Sequence, residues 1–265
     1  MSPDAPIGIF DSGIGGLTVA QQVQLQLPRE NLIYLGDTAR TPYGTKSADT
    51  VRRYAVEGAE FFAERGVKMI VIACNTVSST SMATLHERFD VPLIDVIEPG
   101  VRRAVAQTRN RKVGVIGTDA TIRSGAYTRA LRQLAPDLEI FTRACPLFVP
   151  LAEEGWVDND VARATARNYL DSLRRSGIDT LVLGCTHYPL LAAVIGEVMG
   201  DQITLVDSAG TTAAAVRDTL AAAGMARAEG EGSVSFFVTD EPDRFVKVGA
   251  RFMGQRVESA VRIER

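Results

Sequence analysis

The sequence predicts an α/β protein of two pseudosymmetric domains, each a mostly parallel sheet flanked by helices, with the functional site in the cleft between them. Two observations support this prediction. Short runs that are apolar on both faces alternate with segments of helical periodicity, which is typical of parallel sheets covered by helices. In addition, one arrangement of strands and polar turns occurs twice along the 265-residue chain.

The predicted elements alternate along the chain. Strands are expected at residues 7–10, 32–35, 69–73, 113–116, 180–183, 205–206 and 234–238. Helices are expected at residues 50–65, 101–108, 127–134, 161–174 and 211–223. Because crossovers between parallel strands have one hand, the carboxyl ends of the strands share one edge of each sheet. We expect functional side chains at that edge.

Four strand ends carry the repeated arrangement. They are followed by Asp11-Ser12-Gly13 and Cys74-Asn75-Thr76 in the first half, and by Gly117-Thr118-Asp119 and Cys185-Thr186-His187 in the second. The chain beyond Asp207 is longer than a second copy requires. We therefore predict a first domain of residues 1–97 plus 208–265 and a second domain of residues 98–207.

Composition restricts the function classes. The net charge of -3 and the pI near 5.6 argue against a broad nucleic-acid-binding surface. The apolar runs are too short to cross a bilayer, and no secretory signal is visible at the start. Three cysteines, odd in number and far apart, form a poor disulfide framework. A cytoplasmic protein without nucleic-acid or membrane partners is expected.

Cys74 and Cys185 are the strongest candidates for chemistry. A lone buried cysteine usually acts as a small hydrophobic residue. These two, however, each end a strand before a predicted helix, and a helix N-terminus lowers the pKa of a thiol. A disulfide oxidoreductase usually carries Cys-x-x-Cys, which is absent, and a thiol hydrolase would leave one cysteine idle. Racemisation by two bases uses both, one on each face of a carbon atom.

Other polar residues are placed at the same edge. Asp11 and His187 exchange protons readily and are expected to assist the thiols. The alternative for Asp11 is a helix N-cap, and the alternative for His187 is a buried structural histidine. The glycine-rich turn at 13–16 lacks both common nucleotide-binding fingerprints but suits a carboxylate. Small side chains could hold the ammonium and carboxylate groups of an amino acid: Ser12, Asn75, Thr76, Thr118, Thr121 and Thr186.

No cofactor and no metal are expected. A pyridoxal enzyme needs a Schiff-base lysine, and no lysine follows a strand at the predicted active edge. A zinc site formed by Cys74, Cys185, His187 and Asp11 remains an alternative, because all four side chains can bind zinc. Only Cys185 and His187, however, are closely spaced in the sequence.

Four segments together resemble the bacterial glutamate racemases. They are Gly8-Ile9-Phe10-Asp11-Ser12-Gly13-Ile14-Gly15-Gly16-Leu17-Thr18, Pro42-Tyr43-Gly44, Ala73-Cys74-Asn75-Thr76 and Gly184-Cys185-Thr186-His187-Tyr188-Pro189-Leu190. The resemblance covers essentially the whole chain. It implies a pyridoxal-independent enzyme that interconverts L- and D-glutamate for peptidoglycan synthesis, and it leaves monomer or homodimer open.

The resemblance also implies roles for residues. Cys74 and Cys185 would be the catalytic acid/base pair, acting on D-glutamate and L-glutamate respectively, with Asp11, His187 and Glu153 assisting. Substrate contacts are implied for Asp11, Ser12, Pro42, Tyr43, Gly44, Asn75, Thr76, Thr118, Thr121, Thr186 and His187. The alternatives are an aspartate or other amino-acid racemase, a thiol-dependent hydrolase or lyase of a small acid, and a regulatory protein that binds a small molecule.

Overall fold

Two parallel sheets organise the protein, which a computed structural model describes over residues 2–264. The first sheet has the order β10-β9-β2-β1-β3-β4 and the second the order β6-β5-β7-β8. The strands of the first sheet are β1 (Ile7–Asp11), β2 (Leu32–Gly36), β3 (Met69–Ile72), β4 (Leu93–Asp95), β9 (Val234–Val238) and β10 (Val261–Arg262). Those of the second sheet are β5 (Lys112–Gly117), β6 (Glu139–Ala144), β7 (Thr180–Gly184) and β8 (Thr204–Asp207).

The two sheets repeat one topology. The order β2-β1-β3-β4 in the first sheet corresponds to β6-β5-β7-β8 in the second, and every pairing between described strands is parallel. Strand β3 therefore corresponds to β7. The predicted α/β fold is confirmed. Strands β9 and β10 extend the first sheet beyond β2, while the domain boundaries at 97 and 208 remain predictions.

Eleven helices in the described residues cover the sheets. They are α1 (Leu17–Gln26), α2 (Ala48–Ala63), α3 (Asn75–Arg88), α4 (Ile97–Gln107), α5 (Asp119–Ser124), α6 (Ala126–Leu134), α7 (Phe148–Glu154), α8 (Asp160–Arg175), α9 (Ala192–Met199), α10 (Ser208–Ala222) and α11 (Pro242–Met253). Two short 3-10 helices span Tyr43–Thr45 and Tyr188–Leu191. Side-chain caps define several starts: Ser47, Asn159 and Asp207 each accept a hydrogen bond from a backbone N–H of the first turn.

Several elements were absent from the sequence prediction: β4, β6, β10, α1, α5, α7, α9 and α11. Strand β6 lies at a sheet edge and is largely exposed, so it lacks the continuous apolar run that marks β1 and β7. The first turn of α1 is buried on all sides, which hides its helical period. Helices α5 and α7 are too short for periodicity to show.

The core lies between the sheets and their helices. Strands β1, β3 and β7 are buried along their whole length, as expected for central parallel strands. Between residues 2 and 264, no helix is both long enough and apolar enough to cross a membrane.

Candidate active site

Both sheets direct a cysteine into one small cavity. Cys74 follows β3 and is the N-cap residue of α3, while Cys185 directly follows β7. Each side chain is nearly buried, with 5% and 6% of its residue surface exposed. The cavity has a volume of about 30 Å³. Since a water needs roughly 10–15 Å³ on this measure, it holds about two waters, and the cleft is closed.

Most predicted site residues line this cavity. The lining residues are Ser12, Thr41, Pro42, Tyr43, Gly44, Cys74, Asn75, Thr76, Thr118, Val149, Cys185, Thr186 and His187. Of the predicted residues, only Asp11, Thr121 and Glu153 lie behind this lining. Thr41 and Val149 also line the cavity, although the sequence did not predict them. Thr41 adjoins the recognised Pro42-Tyr43-Gly44 turn, whereas Val149 lies in the short helix α7 and has no signal of its own.

Burial dominates the chemistry on the Cys74 side. The Sγ of Cys74 donates to the Oγ of Ser12 at 3.4 Å. Burial, reinforced by the charge of Asp11, raises the pKa of Cys74 to about 12, against the opposing hydrogen bonds from Ser12 and Val77. The prediction that the helix N-terminus lowers the pKa of this thiol is therefore wrong for the closed cleft. Desolvation in the closed cleft therefore disfavours the thiolate form of Cys74.

Asp11 is a fully buried carboxyl group whose charge acts on Cys74. It ends β1, and its Oδ2 accepts from the N–H of Gly13 at 2.9 Å. Burial raises the pKa of Asp11, although the charge of His187 and backbone N–H groups oppose the increase. Its Oδ1 has no hydrogen-bond partner among residues 2–264. Burial thus disfavours the carboxylate form of Asp11.

A chain of charged groups leads away from Cys185. Its Sγ lies 3.9 Å from the Nδ1 of His187, whose Nε2 lies 3.1 Å from the Oε1 of Glu153. The other Glu153 oxygen accepts from Arg244 at 3.0 Å. Burial opposes protonation of His187, but its contacts with Cys185 and Glu153 outweigh burial and raise its pKa to about 10. A protonated imidazole therefore adjoins the second sulfur.

The two cysteines differ in local structure. Cys74 begins α3, as predicted. Cys185 is followed by Thr186 and His187 and then by the 3-10 helix Tyr188–Leu191, so it does not begin an α-helix. The sequence prediction of matched helix N-termini is wrong on this side. His187 and Glu153 supply the second sulfur with a charged neighbour instead.

The histidine–glutamate contact predicts a pH dependence of stability. Because the pKa of His187 rises from 6.5 to about 10 on folding, the associated stabilisation is complete below pH 6.5 and is lost as the pH rises through about 10. Glu153→Gln removes one charge that favours the imidazolium. Urea unfolding at about pH 6 and about pH 10 should show a larger fall in the free energy of unfolding for the unmodified protein than for the variant. Equal falls would contradict the assigned charge state.

The loop that carries Pro42, Tyr43 and Gly44 is anchored by a buried carboxylate. The hydroxyl of Tyr43 donates to the Oδ2 of Asp37. The Oδ1 of Asp37 accepts from the hydroxyl of Thr239 at 2.8 Å, just beyond β9. Asp37 follows β2, as Asp11 ends β1, but it was not singled out from the sequence. It holds the cavity wall against the first sheet.

Direct contacts hold the two halves together over the cavity. The hydroxyl of Thr76 lies 3.1 Å from that of Thr118 and 3.4 Å from that of Thr121. Thr18 donates from its hydroxyl to the carbonyl of Thr186 at 3.2 Å. Thr121 therefore supports the cavity wall through Thr76 and Thr118 without lining the cavity.

Gly15 permits a close approach between the halves. A Cβ atom at this position would lie 2.3 Å from the Oγ1 of Thr186 and 2.4 Å from the Nδ1 of His187. Gly15→Ala should therefore force the cleft apart and destabilise the protein by about 1–3 kcal/mol. Thermal unfolding checks this, with Gly100→Ala in α4 as the control because a Cβ there meets no atom within 4 Å. A Gly15→Ala protein as stable as the control would refute the close approach.

No cluster of three or more His, Cys, Asp or Glu side chains between residues 2 and 264 is arranged to hold a metal ion. The zinc alternative raised by the sequence therefore has no suitable ligand cluster among these residues.

Known proteins resemble this chain in sequence and architecture. The family described as Asp/Glu/Hydantoin racemase matches residues 17–217. The glutamate racemase of Geobacter metallireducens is 54% identical over 256 residues, covering 96% of this chain and 95% of that protein. The Thermus thermophilus glutamate racemase, solved in complex with β-chloro-D-alanine, has a TM-score of 0.91 and 46% identity, covering 100% of this chain and 98% of that one.

A third relative was solved with an amino acid bound. The glutamate racemase of Francisella tularensis, in complex with D-glutamate, has a TM-score of 0.93 and 36% identity, covering 99% of this chain and 98% of that chain. Sequence and architecture thus agree over nearly the full length. The chain belongs to the Asp/Glu/hydantoin racemase family.

Proposed function

We propose that this protein racemises glutamate without a cofactor, with Cys74 and Cys185 as the two acid/base groups. One observation carries the proposal: the two thiols follow equivalent strands, β3 and β7, and line the same cavity. A two-base reaction, in which a proton leaves one face of Cα and another arrives at the opposite face, uses such a pair. Glutamate is favoured over other amino acids by the glutamate racemases among the relatives.

The reaction proceeds through a carbanion at Cα. With L-glutamate, the Cys185 thiolate removes the α-proton, and the electron pair delocalises into the α-carboxylate. The Cys74 thiol then donates its proton to the opposite face, which gives D-glutamate, a protonated Cys185 and a Cys74 thiolate. D-glutamate reacts by the same steps in reverse, so each thiol serves as base in one direction and acid in the other.

The surrounding residues stabilise charge in this scheme. The first turn of α3 offers backbone N–H groups to a substrate carboxylate, and Thr76, Thr118 and Thr186 add hydroxyls. Protonated His187 acts beside Cys185, and Asp11 acts beside Cys74. Since the closed cavity holds only about two waters, the cleft opens to admit glutamate and then excludes solvent from the carbanion.

We also propose a cellular role and a compartment for this activity. The enzyme supplies D-glutamate for peptidoglycan synthesis in the cytoplasm. Sedimentation of the purified protein distinguishes a monomer from a homodimer.

A direct assay tests the reaction and its rivals. Purified protein is incubated with L-glutamate and, separately, with L-aspartate, without pyridoxal phosphate and both with and without a chelator, and optical rotation is followed. Loss of rotation with glutamate alone is expected. Loss with aspartate alone would identify an aspartate racemase, while dependence on metal would favour the zinc alternative. Binding of glutamate without loss of rotation would identify a regulatory binding protein.

A further inference from the structure

The side-chain amide of Asn75 makes a hydrogen bond through its oxygen but not through its nitrogen. Asn75 is the first residue of α3, is 3% exposed and lines the cavity beside Cys74. Its Oδ1 accepts a hydrogen bond of 2.6 Å from the hydroxyl of Tyr127. Its Nδ2 is buried and has no hydrogen-bond partner between residues 2 and 264. Buried donors are nearly always paired, so a group that enters the cavity is the natural acceptor for this one.

Tyr127 reaches Asn75 from the other half of the protein. It lies on α6, is 2% exposed, and its ring lies 3.0 Å from the position of a Cβ atom added at Gly184, the last residue of β7. Burial raises the pKa of Tyr127, so its phenol keeps the proton that it donates. The ring is thus held between the strand that precedes Cys185 and the amide that follows Cys74.

We propose that Tyr127 is a positioning residue that orients the Asn75 amide so that its Nδ2 donates to a substrate carboxylate in the closed cleft. This inference rests on the proposed racemisation of glutamate. By occupying the Oδ1 of Asn75, Tyr127 leaves the N–H groups for the cavity, where an anionic substrate needs donors. Because the hydrogen bond joins the two halves, closure of the cleft and orientation of the amide occur together.

Removal of one hydroxyl tests the proposal. In Tyr127→Phe, the KM for glutamate is expected to rise about tenfold while kcat changes by less than about threefold. A contact to the side-chain carboxylate, which accepts no electron pair in the reaction, contributes equally to binding of the ground and transition states. The dissociation constant of D-glutamate, measured by calorimetry, should rise by a similar factor. Tyr169→Phe is the matched control: it is a tyrosine of the same half whose hydroxyl accepts from the N–H of Leu147. Its KM should stay unchanged.

A double-mutant cycle separates positioning from general destabilisation. If Tyr127 acts through Asn75, then Tyr127→Phe adds nothing to the loss of affinity caused by Asn75→Ala. Additive losses, or a normal KM in Tyr127→Phe, would overturn the inference. An unmodified protein that binds glutamate without turnover would refute the proposed function, while the affinities of the variants would still test Tyr127. An unmodified protein that neither binds nor converts glutamate would refute both.

Discussion

Cys74→Ala and Cys185→Ala are each expected to lower kcat/KM for racemisation of glutamate by about 10³-fold or more, because either loss leaves one face of Cα without a proton donor and acceptor. Enantiomers have equal free energy, so kcat/KM must fall equally in both directions. Circular dichroism of the substrate, started from each enantiomer, measures both rates.

Exchange of the α-proton with solvent distinguishes the two single variants. The remaining thiol should still remove the proton on its own face, exchange it slowly with solvent and return a deuteron. In deuterated water, Cys74→Ala should exchange L-glutamate and Cys185→Ala should exchange D-glutamate. Exchange of both enantiomers by one variant would show that a single thiol reaches both faces, which would contradict the proposed geometry.

The third cysteine provides the control. Cys145 is also buried, and its Sγ donates to the carbonyl of Arg143 at 3.7 Å, outside the cavity lining. Cys145→Ala should therefore retain racemase activity within a few-fold. A loss comparable to that of the other two variants would indicate that truncation of any buried cysteine disrupts the fold, and the catalytic interpretation would fail.

His187→Asn is expected to lower kcat/KM by about 10²-fold, equally in both directions, because a protonated imidazole no longer adjoins Cys185. Its Nδ1 lies 3.9 Å from that sulfur. Initial rates from L- and D-glutamate check the size and the equality of the loss. The other histidine, His86, is exposed on α3, and His86→Asn should have normal rates. Full activity in His187→Asn would show that His187 has only a structural role, and the proposed assistance to Cys185 would be wrong.

The central strands and the pairing of the two cysteines could be predicted from sequence, because both depend on local patterns. Strands β3 and β7 are buried apolar runs, and each is followed within two residues by a cysteine. Edge strand β6 and the short helices α5 and α7 lack such patterns. The contacts of Tyr127 with Asn75 and of Arg244 with Glu153 join residues 52 and 91 positions apart, and no local pattern indicates them.

Electrostatics was the least predictable property of the site. From sequence, Cys74 was expected to have a lowered pKa because it begins a helix. In the folded protein, burial raises the pKa of this thiol to about 12, since desolvation outweighs the hydrogen bonds that stabilise the thiolate. Burial depends on how the two halves close over the residue. The sign of the shift therefore follows from tertiary structure.

The position of deuterium in the first product tests the central claim most directly. The protein is mixed with protiated L-glutamate in deuterated water, and the enantiomers are separated after a small fraction has reacted. Two thiols on opposite faces predict D-glutamate that carries deuterium at Cα, while unreacted L-glutamate keeps its proton. D-glutamate that retains the original proton would mean that one group carries it between faces, and would contradict the account.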